Sequence, residues 1–94
     1  MKVLASEQVQ TWLNCLAPDS KHRVRMALRQ LAERRADVLP LEAELEGFHR
    51  LRVGGLRIIF SRMPGFVIQL EYADVREFVY ERFLEILKGR APGS

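Results

Sequence analysis

Ninety-four residues are the length of one domain, and a chain this short buries roughly 60–65% of the surface its unfolded form exposes. Hydrophobic residues at 48% and charged residues at 29% exclude a disordered chain, and no apolar run approaches the roughly 20 residues that span a bilayer. The net charge is only +3, yet twelve of the fifteen cations are Arg, whose planar fork matches phosphate in two-point contacts. The base composition of a gene accounts for such a skew equally well.

The single cysteine, Cys15, cannot form an internal disulfide, and Met1–Ser6 is too short for a secretory hydrophobic region, so a cytoplasmic protein is expected. Lys2–Ala5 suits a short edge strand. Ser6 follows as a helix N-cap with Glu7 in the first turn, and Val9, Trp12, Leu13 and Leu16 recur on one helical face. Pro18 stops that helix. Asp19 or Ser20 is then expected to cap a second one. Its stripe is Val24, Leu28 and Leu31, with Ala27 and Ala32 at the margins, and the brief connection predicts an antiparallel helical hairpin.

Residues 37–46 hold four acids (Asp37, Glu42, Glu44 and Glu46), no base, and Pro40. The segment reads as a loop. After Gly47 the character reverses: Arg50, Arg52, Arg57 and Arg62 all precede the next acid, Glu71. The period also changes to two, with Leu51 and Val53 alternating against Arg50 and Arg52, and Leu56, Ile58 and Phe60 against Arg57, Ile59 and Ser61. Gly54-Gly55 is a two-residue hairpin signal and Pro64-Gly65 marks a second turn. Phe66, Ile68, Leu70 and Tyr72 predict a third strand with one apolar side. Asp74-Val75-Arg76-Glu77 resembles a capping box opening a last helix, lined by Val75, Val79, Phe83 and Ile86 and joined by Phe78 and Leu87. Gly89 ends it, and residues 89–94 are expected to form a disordered tail. The predicted fold is α+β, a single small domain over 1–94 in the order (β)ααβββα. A helical hairpin and a C-terminal helix pack on a three- to four-stranded antiparallel sheet.

A two-residue turn at Gly54-Gly55 sets the register. Val53 meets Leu56, Leu51 meets Ile58 and His49 meets Phe60 on one side, while on the other Arg52 faces Arg57 and Arg50 faces Ile59. Like charges directly opposite each other are destabilising, and at 4 Å they repel by roughly 1 kcal/mol even in bulk water. Glu71 on the third strand could pair with Arg57 and leave the patch a solvated face. Alternatively, phosphates of a nucleic acid or carboxylates of an acidic partner sit among the guanidiniums. Arg76 and Tyr80, four apart on the last helix, share a face that could reach the patch. Tyr80 there suits a general base or a stacking group, or else a half-buried helix residue.

The block from Leu45 to Phe60, with Arg50-Leu51-Arg52-Val53-Gly54 followed by Arg57, resembles the central segment of RelE/ParE-type toxins. Arg76-Glu77-Phe78-Val79-Tyr80 resembles the C-terminal R-x-x-V-Y segment of the RelE-like branch. The resemblance covers roughly Lys2 to Leu87. It implies a toxin of a type II toxin–antitoxin pair that cuts messenger RNA in the ribosomal A site, where the ribose 2′-hydroxyl attacks the adjacent phosphorus. On that resemblance Arg57, Arg76 and Tyr80 are catalytic: Arg57 stabilises charge on the transferring phosphate, Arg76 positions substrate or assists the leaving group, and Tyr80 is base or stacking group. On it Arg50 and Arg52 bind the RNA backbone, and Arg62, in the same run of cations, is expected to bind it with them. The implied partners are a cognate antitoxin with an acidic segment, covering the arginine surface, and the ribosome with its messenger. No cofactor, metal or membrane is implied. Val75 stands where some RelE-like nucleases carry histidine. A gyrase-binding ParE-like inhibitor and an inactive antitoxin-binding relative are the competing functions. His22 and His49 show no zinc spacing, His49 reads as a rim residue on the core side, and Glu42, Glu44 or Glu46 supplies either a general base or only a solvated loop. Arg23, Arg25, Arg29, Arg34 and Arg35 extend the charge along the second helix or form its exposed face.

Overall fold

In chain order the elements are β1 (Lys2–Ala5), α1 (Glu7–Asn14), α2 (Pro18–Ala32), β2 (Val38–Pro40), a 3₁₀ turn (Ala43–Leu45), β3 (His49–Val53), β4 (Leu56–Met63), β5 (Val67–Val75) and α3 (Phe78–Gly89). They come from a computed structural model that describes residues 1–75 and 78–89. The expectations for Arg76 and for the tail beyond Gly89 lie outside the described residues.

The strands form one sheet in the order β1-β5-β4-β3-β2, with β1 parallel to β5 and the other neighbours antiparallel. The sheet is thus five-stranded and mixed, wider than the expected three or four antiparallel strands. The additional strand is β2, in the stretch read as a loop: Val38 pairs with Leu51 and Pro40 with His49. Three residues are too few to show a period of two. Pro40 cannot donate to a ladder, which confines such a strand to the edge.

The sheet separates two apolar layers. On one face α1 and α2 cover Leu51, Val53, Ile58, Phe60, Ile68, Leu70 and Ala73, contributing Val9, Val24, Ala27 and Leu31. On the other, α3 brings Val79 and Phe83 onto Ile59, Tyr72 and Leu45. Helix α1 is capped by Ser6, whose hydroxyl accepts from the Val9 N–H at 3.2 Å. The second helix starts earlier than expected. Ala17 is its N-cap and Pro18 its first residue, where a missing N–H costs nothing.

The β3–β4 hairpin has the predicted register throughout. Gly54 turns with φ +60°, a conformation that favours glycine. Between β4 and β5 the register shifts at Ile59/Phe60, leaving Glu71 as an extra residue. This bulge corrects the third strand's predicted face. Ile68, Leu70 and Ala73 face α1 and α2, whereas Tyr72 turns to the α3 side. Phe66 is no strand residue either, but a turn residue that is 71% exposed.

Asp74 and Val75 stay in β5, paired with Arg57 and Leu56, instead of opening α3. The Asp74 carboxylate accepts from the Val75 N–H at 2.8 Å, and Val75 is exposed rather than on the helix's inner face. Ladder pairing overrides the local capping signal here. Phe78, expected to join the inner face, is also exposed. Where the short β1 ends, side chains continue its role along β5. Ser6 Oγ donates to Glu71 O at 2.8 Å. Gln8 donates through Nε2 to Ala73 O at 2.7 Å and accepts the Ala73 N–H at 2.9 Å.

Candidate nucleic-acid interface

Strand alternation brings Arg50, Arg52 and Arg57 to the α3 face of the sheet. Arg50 lies opposite Ile59, which packs under α3, and Arg52 lies directly opposite Arg57. On its other side Arg57 faces Asp74 of β5. A row therefore crosses three strands as Asp74, Arg57, Arg52, and beyond it Asp37 precedes β2.

Asp37 closes that row. Its two carboxylate oxygens divide between two arginines, Oδ1 accepting from Arg50 Nη2 at 2.9 Å and Oδ2 lying 2.6 Å from Arg52 Nε. Its carbonyl also accepts from the Arg52 N–H at 3.0 Å. The Arg50 side chain is only 14% exposed, against 52% for Arg52. Arg50 Nε is buried with no hydrogen-bond partner among the described residues. Arg50 is thus a held, inward guanidinium, while Arg52 reaches solvent.

Arg57 is anchored differently. Its Nη1 donates to Gly54 O at 2.8 Å and to Leu56 O at 3.1 Å, which folds the side chain back over the hairpin. Among the described residues no carboxylate lies within 4.0 Å of it. Glu71 is not its partner, contrary to one sequence expectation. The bulge aims Glu71 at Ser61, whose Oγ donates to Glu71 Oε2 at 2.8 Å. Asp74, opposite Arg57, instead lies 3.5 Å from Arg82 Nε on α3. Four guanidiniums (Arg50, Arg52, Arg57 and Arg82) stand against Asp37 and Asp74, with Glu71 turned to Ser61 further along the same face, so the arginine row keeps a cationic excess.

Arg62 is not part of this face. From Arg57 the α3 side continues through Ile59 and Ser61, so parity sends Arg62 to the opposite side, 5.5 Å from the centre of the Phe60 ring. The charge run in the sequence groups Arg62 with the other arginines, but strand alternation separates them. His49 shares the Arg62 side, stacked on Phe60 with centroids 5.3 Å apart. Burial first, and then the Arg62 guanidinium, hold His49 below the ordinary imidazole value. Tyr80 lies in the first turn of α3, part-buried against the cluster of Ile59, Tyr72 and Phe83. In the acidic segment, Glu44 lies 3.6 Å from Lys88 of α3 at the surface.

Asp37, Asp74 and Arg82 are the site residues that sequence reasoning missed. In the sequence Asp37 reads only as one acid of a loop. Its place opposite the arginines follows from β2 pairing, which the sequence signals weakly. Among the described residues, no cluster of three or more His, Cys, Asp or Glu could hold a metal ion, and no helix is long and apolar enough to cross a membrane.

A sheet carrying a helical hairpin on one face and, on the other, a last helix beside clustered arginines defines a class: the chain has the fold of the RelE-like toxin superfamily. The solved structures it matches include an archaeal RelE–RelB complex from Pyrococcus horikoshii OT3, at 26% identity and TM-score 0.65, over 81% of this chain and 94% of that one. A RelB–RelE antitoxin–toxin complex from Methanococcus jannaschii matches at 16% identity and TM-score 0.65, over 85% and 98%. A YoeB–YefM complex from Staphylococcus aureus matches at 13% identity and TM-score 0.66, over 81% and 97%. No protein-family model and no curated protein sequence matches the chain.

Proposed function

We propose that the chain is the toxin of a type II toxin–antitoxin pair and acts as a ribosome-dependent messenger-RNA endonuclease. The observation that carries this reading is the direct opposition of Arg52 and Arg57 on a face where Arg50 and Arg52 already share one carboxylate. A phosphodiester threaded across that row supplies the missing negative charge. It also gains charge-assisted contacts that a carboxylate-saturated face would not offer.

In the reaction the ribose 2′-oxygen attacks the adjacent phosphorus, its proton passes to a base, and the bond to the 5′-oxygen breaks as that oxygen takes up a proton from water. A 2′,3′-cyclic phosphate and a 5′-hydroxyl end result. Charge builds on the non-bridging oxygens. Arg57, pre-folded onto the hairpin carbonyls, meets it without reorganising. Arg52 is the exposed backbone cation and Arg82 a second on the α3 side, with Arg50 holding the Asp37 clamp from beneath. Arginine holds charge rather than exchanging protons, so the base role falls to Tyr80 or to water. Arg76 completes the set by resemblance. The partners of this reading are the ribosome with its messenger, and a cognate antitoxin, since RelE and YoeB neighbours were solved as complexes with RelB and YefM.

Induced expression in bacteria, followed by primer extension on a reporter messenger, tests this. Codon-phased cuts that disappear in Arg57→Ala, with the fold retained, are the expected result. DNA breaks with intact messenger would instead indicate a gyrase-binding inhibitor, and unaffected growth an inactive relative.

A further inference from the structure

The arginine row does not end at Arg57. That side chain reaches the tip of the β3–β4 hairpin from the α3 face, its Nη1 donating to Gly54 O at 2.8 Å. A second guanidinium reaches the same glycine from the helix that covers the other face. Arg23 extends from α2 toward the turn, and its Nη1 would lie 3.6 Å from a Cβ added at Gly54. Two cations therefore bracket one turn residue from opposite sides of the sheet.

Neither is neutralised by a close acid. Among the described residues no carboxylate lies within 4.0 Å of Arg23 or Arg57. Asp19, one helical turn before Arg23, has the spacing of an ion-pair partner, yet Arg23 extends to the hairpin instead. From Ser20 to Ala32 helix α2 holds four cations and no acid, which adds to the local charge. The turn itself is bare. Gly54 and Gly55 carry no side chains, and nothing lies within 4 Å of a Cβ placed at Gly55. A ligand can thus approach the backbone closely between the two guanidiniums.

We infer that this tip is a second phosphate-binding position, where a phosphodiester of the bound RNA lies across Gly54-Gly55 between the Arg57 and Arg23 guanidiniums. The strand then runs from Arg52 past Arg57 and over the turn toward α2. Arg23 is a positioning residue in this path, since it holds one end of the strand and touches no reacting atom. Two planar forks with open space between them suit two-point contacts with phosphate oxygens. The glycines, by contrast, offer an acidic peptide no apolar side chain to rest on. The inference rests on the reading that the arginine row binds RNA, and it gives the strand a direction. Arg25, on the same helix, provides the contrast, because it lines a depression with Leu13 and Asn14 of α1 instead.

Fluorescence anisotropy on the full chain tests this, with oligoribonucleotides whose 2′-hydroxyls are replaced by hydrogen so that they bind without being cut. Probes of about three and about eight nucleotides separate the row alone from the row plus the tip. The longer probe is expected to bind more tightly. Arg23→Gln should weaken it about fivefold at roughly 0.1 M salt and flatten its slope of log K against log salt by about 0.7, one phosphate contact's share. The shorter probe should be unaffected. Gly55→Gln, which places a long neutral side chain over the turn, should remove the same increment. Arg25→Gln should change neither probe, and all three variants should melt like the parent. Parent-like binding of both probes by Arg23→Gln, an equal loss in Arg25→Gln, or no binding of the longer probe at low salt would each overturn the inference. So would a polyglutamate peptide that matches the longer probe's affinity and loses it in Arg23→Gln. A chain that cuts messenger while Arg23→Gln binds as the parent does keeps the nuclease reading and loses the tip. One that cuts nothing, yet shows the length-dependent loss, keeps the tip and loses the nuclease.

Discussion

Replacing Asp37 by Asn tests the clamp from which the cationic face is built. The substitution keeps shape and removes the charge that Arg50 and Arg52 divide at 2.9 and 2.6 Å. The Arg52 contact, with both side chains near half exposed, is worth at most about 1 kcal/mol. The Arg50 contact matters more, because that side chain is only 14% exposed and already has an unpartnered Nε. Full burial of an unpaired charge costs about 3–5 kcal/mol, and the exposed carboxylate places this pair well below that. A total loss of about 1–2 kcal/mol follows. For a domain of this size it lowers the thermal midpoint by roughly 5–15 °C. Binding of a single-stranded oligoribonucleotide moves the other way. One guanidinium freed for phosphate steepens the slope of log K against log salt by about 0.7. Cleavage should nonetheless fall, because a loosened Arg52 no longer presents a fixed geometry beside Arg57. Thermal melts, salt-series binding and single-turnover cleavage measure the three effects. An unchanged melt together with an unchanged salt slope would show that Asp37 restrains neither arginine.

Gln8→Ala removes both partners of the Ala73 amide unit, at 2.7 and 2.9 Å, and should cost about 1–2 kcal/mol in urea unfolding, with faster hydrogen exchange at Ala73. Phe66→Asn should raise stability by up to about 1 kcal/mol, since Asn accepts the left-handed backbone more readily; a destabilised variant in the same urea titration would mean that Phe66 packs internally. The His49 prediction concerns pH. Its imidazole is held below the ordinary value, so the unfolded chain binds more protons in the window from the folded pKa up to about 6.5. The sign is therefore a stability that is whole above that window and declines on acidification through it. His49→Gln should shrink the loss between about pH 7.5 and 5.5; equal losses in variant and parent would discard the mechanism.

Period-two alternation about a Gly-Gly turn made the central hairpin legible, because a single register satisfies both the turn and the apolar face. The helical stripes were legible for the same reason at a period of 3.6 residues. What escaped was decided by neighbours. Three residues of β2 carry no readable period and exist by pairing with β3. The bulge at Glu71 depends on two strands at once, and it moved both Tyr72 and the expected partner of Arg57. The start of α3 yielded to ladder pairing, which holds Asp74 and Val75 extended despite a capping pattern.

The candidate site divides along the same line. Alternation within one hairpin sufficed to bring Arg50, Arg52 and Arg57 to one face, and the same rule, carried five residues past Arg57, excludes Arg62. The acids were the harder part, because neither is a sequence neighbour of the arginine it meets. Asp37 arrives from the loop after α2 and Asp74 from the far strand. Their arrival answers the question that the crowded charges pose. Two carboxylates hold the arginines in place without neutralising them, so the fold supports a cationic surface whose geometry is set before any phosphate arrives. Preorganisation of this kind lets a positioned guanidinium stabilise charge that develops only in the transition state. A merely solvated patch would leave its side chains free. The clamped pair and the folded-back Arg57 are not free, and that restraint is what the proposed function requires of them.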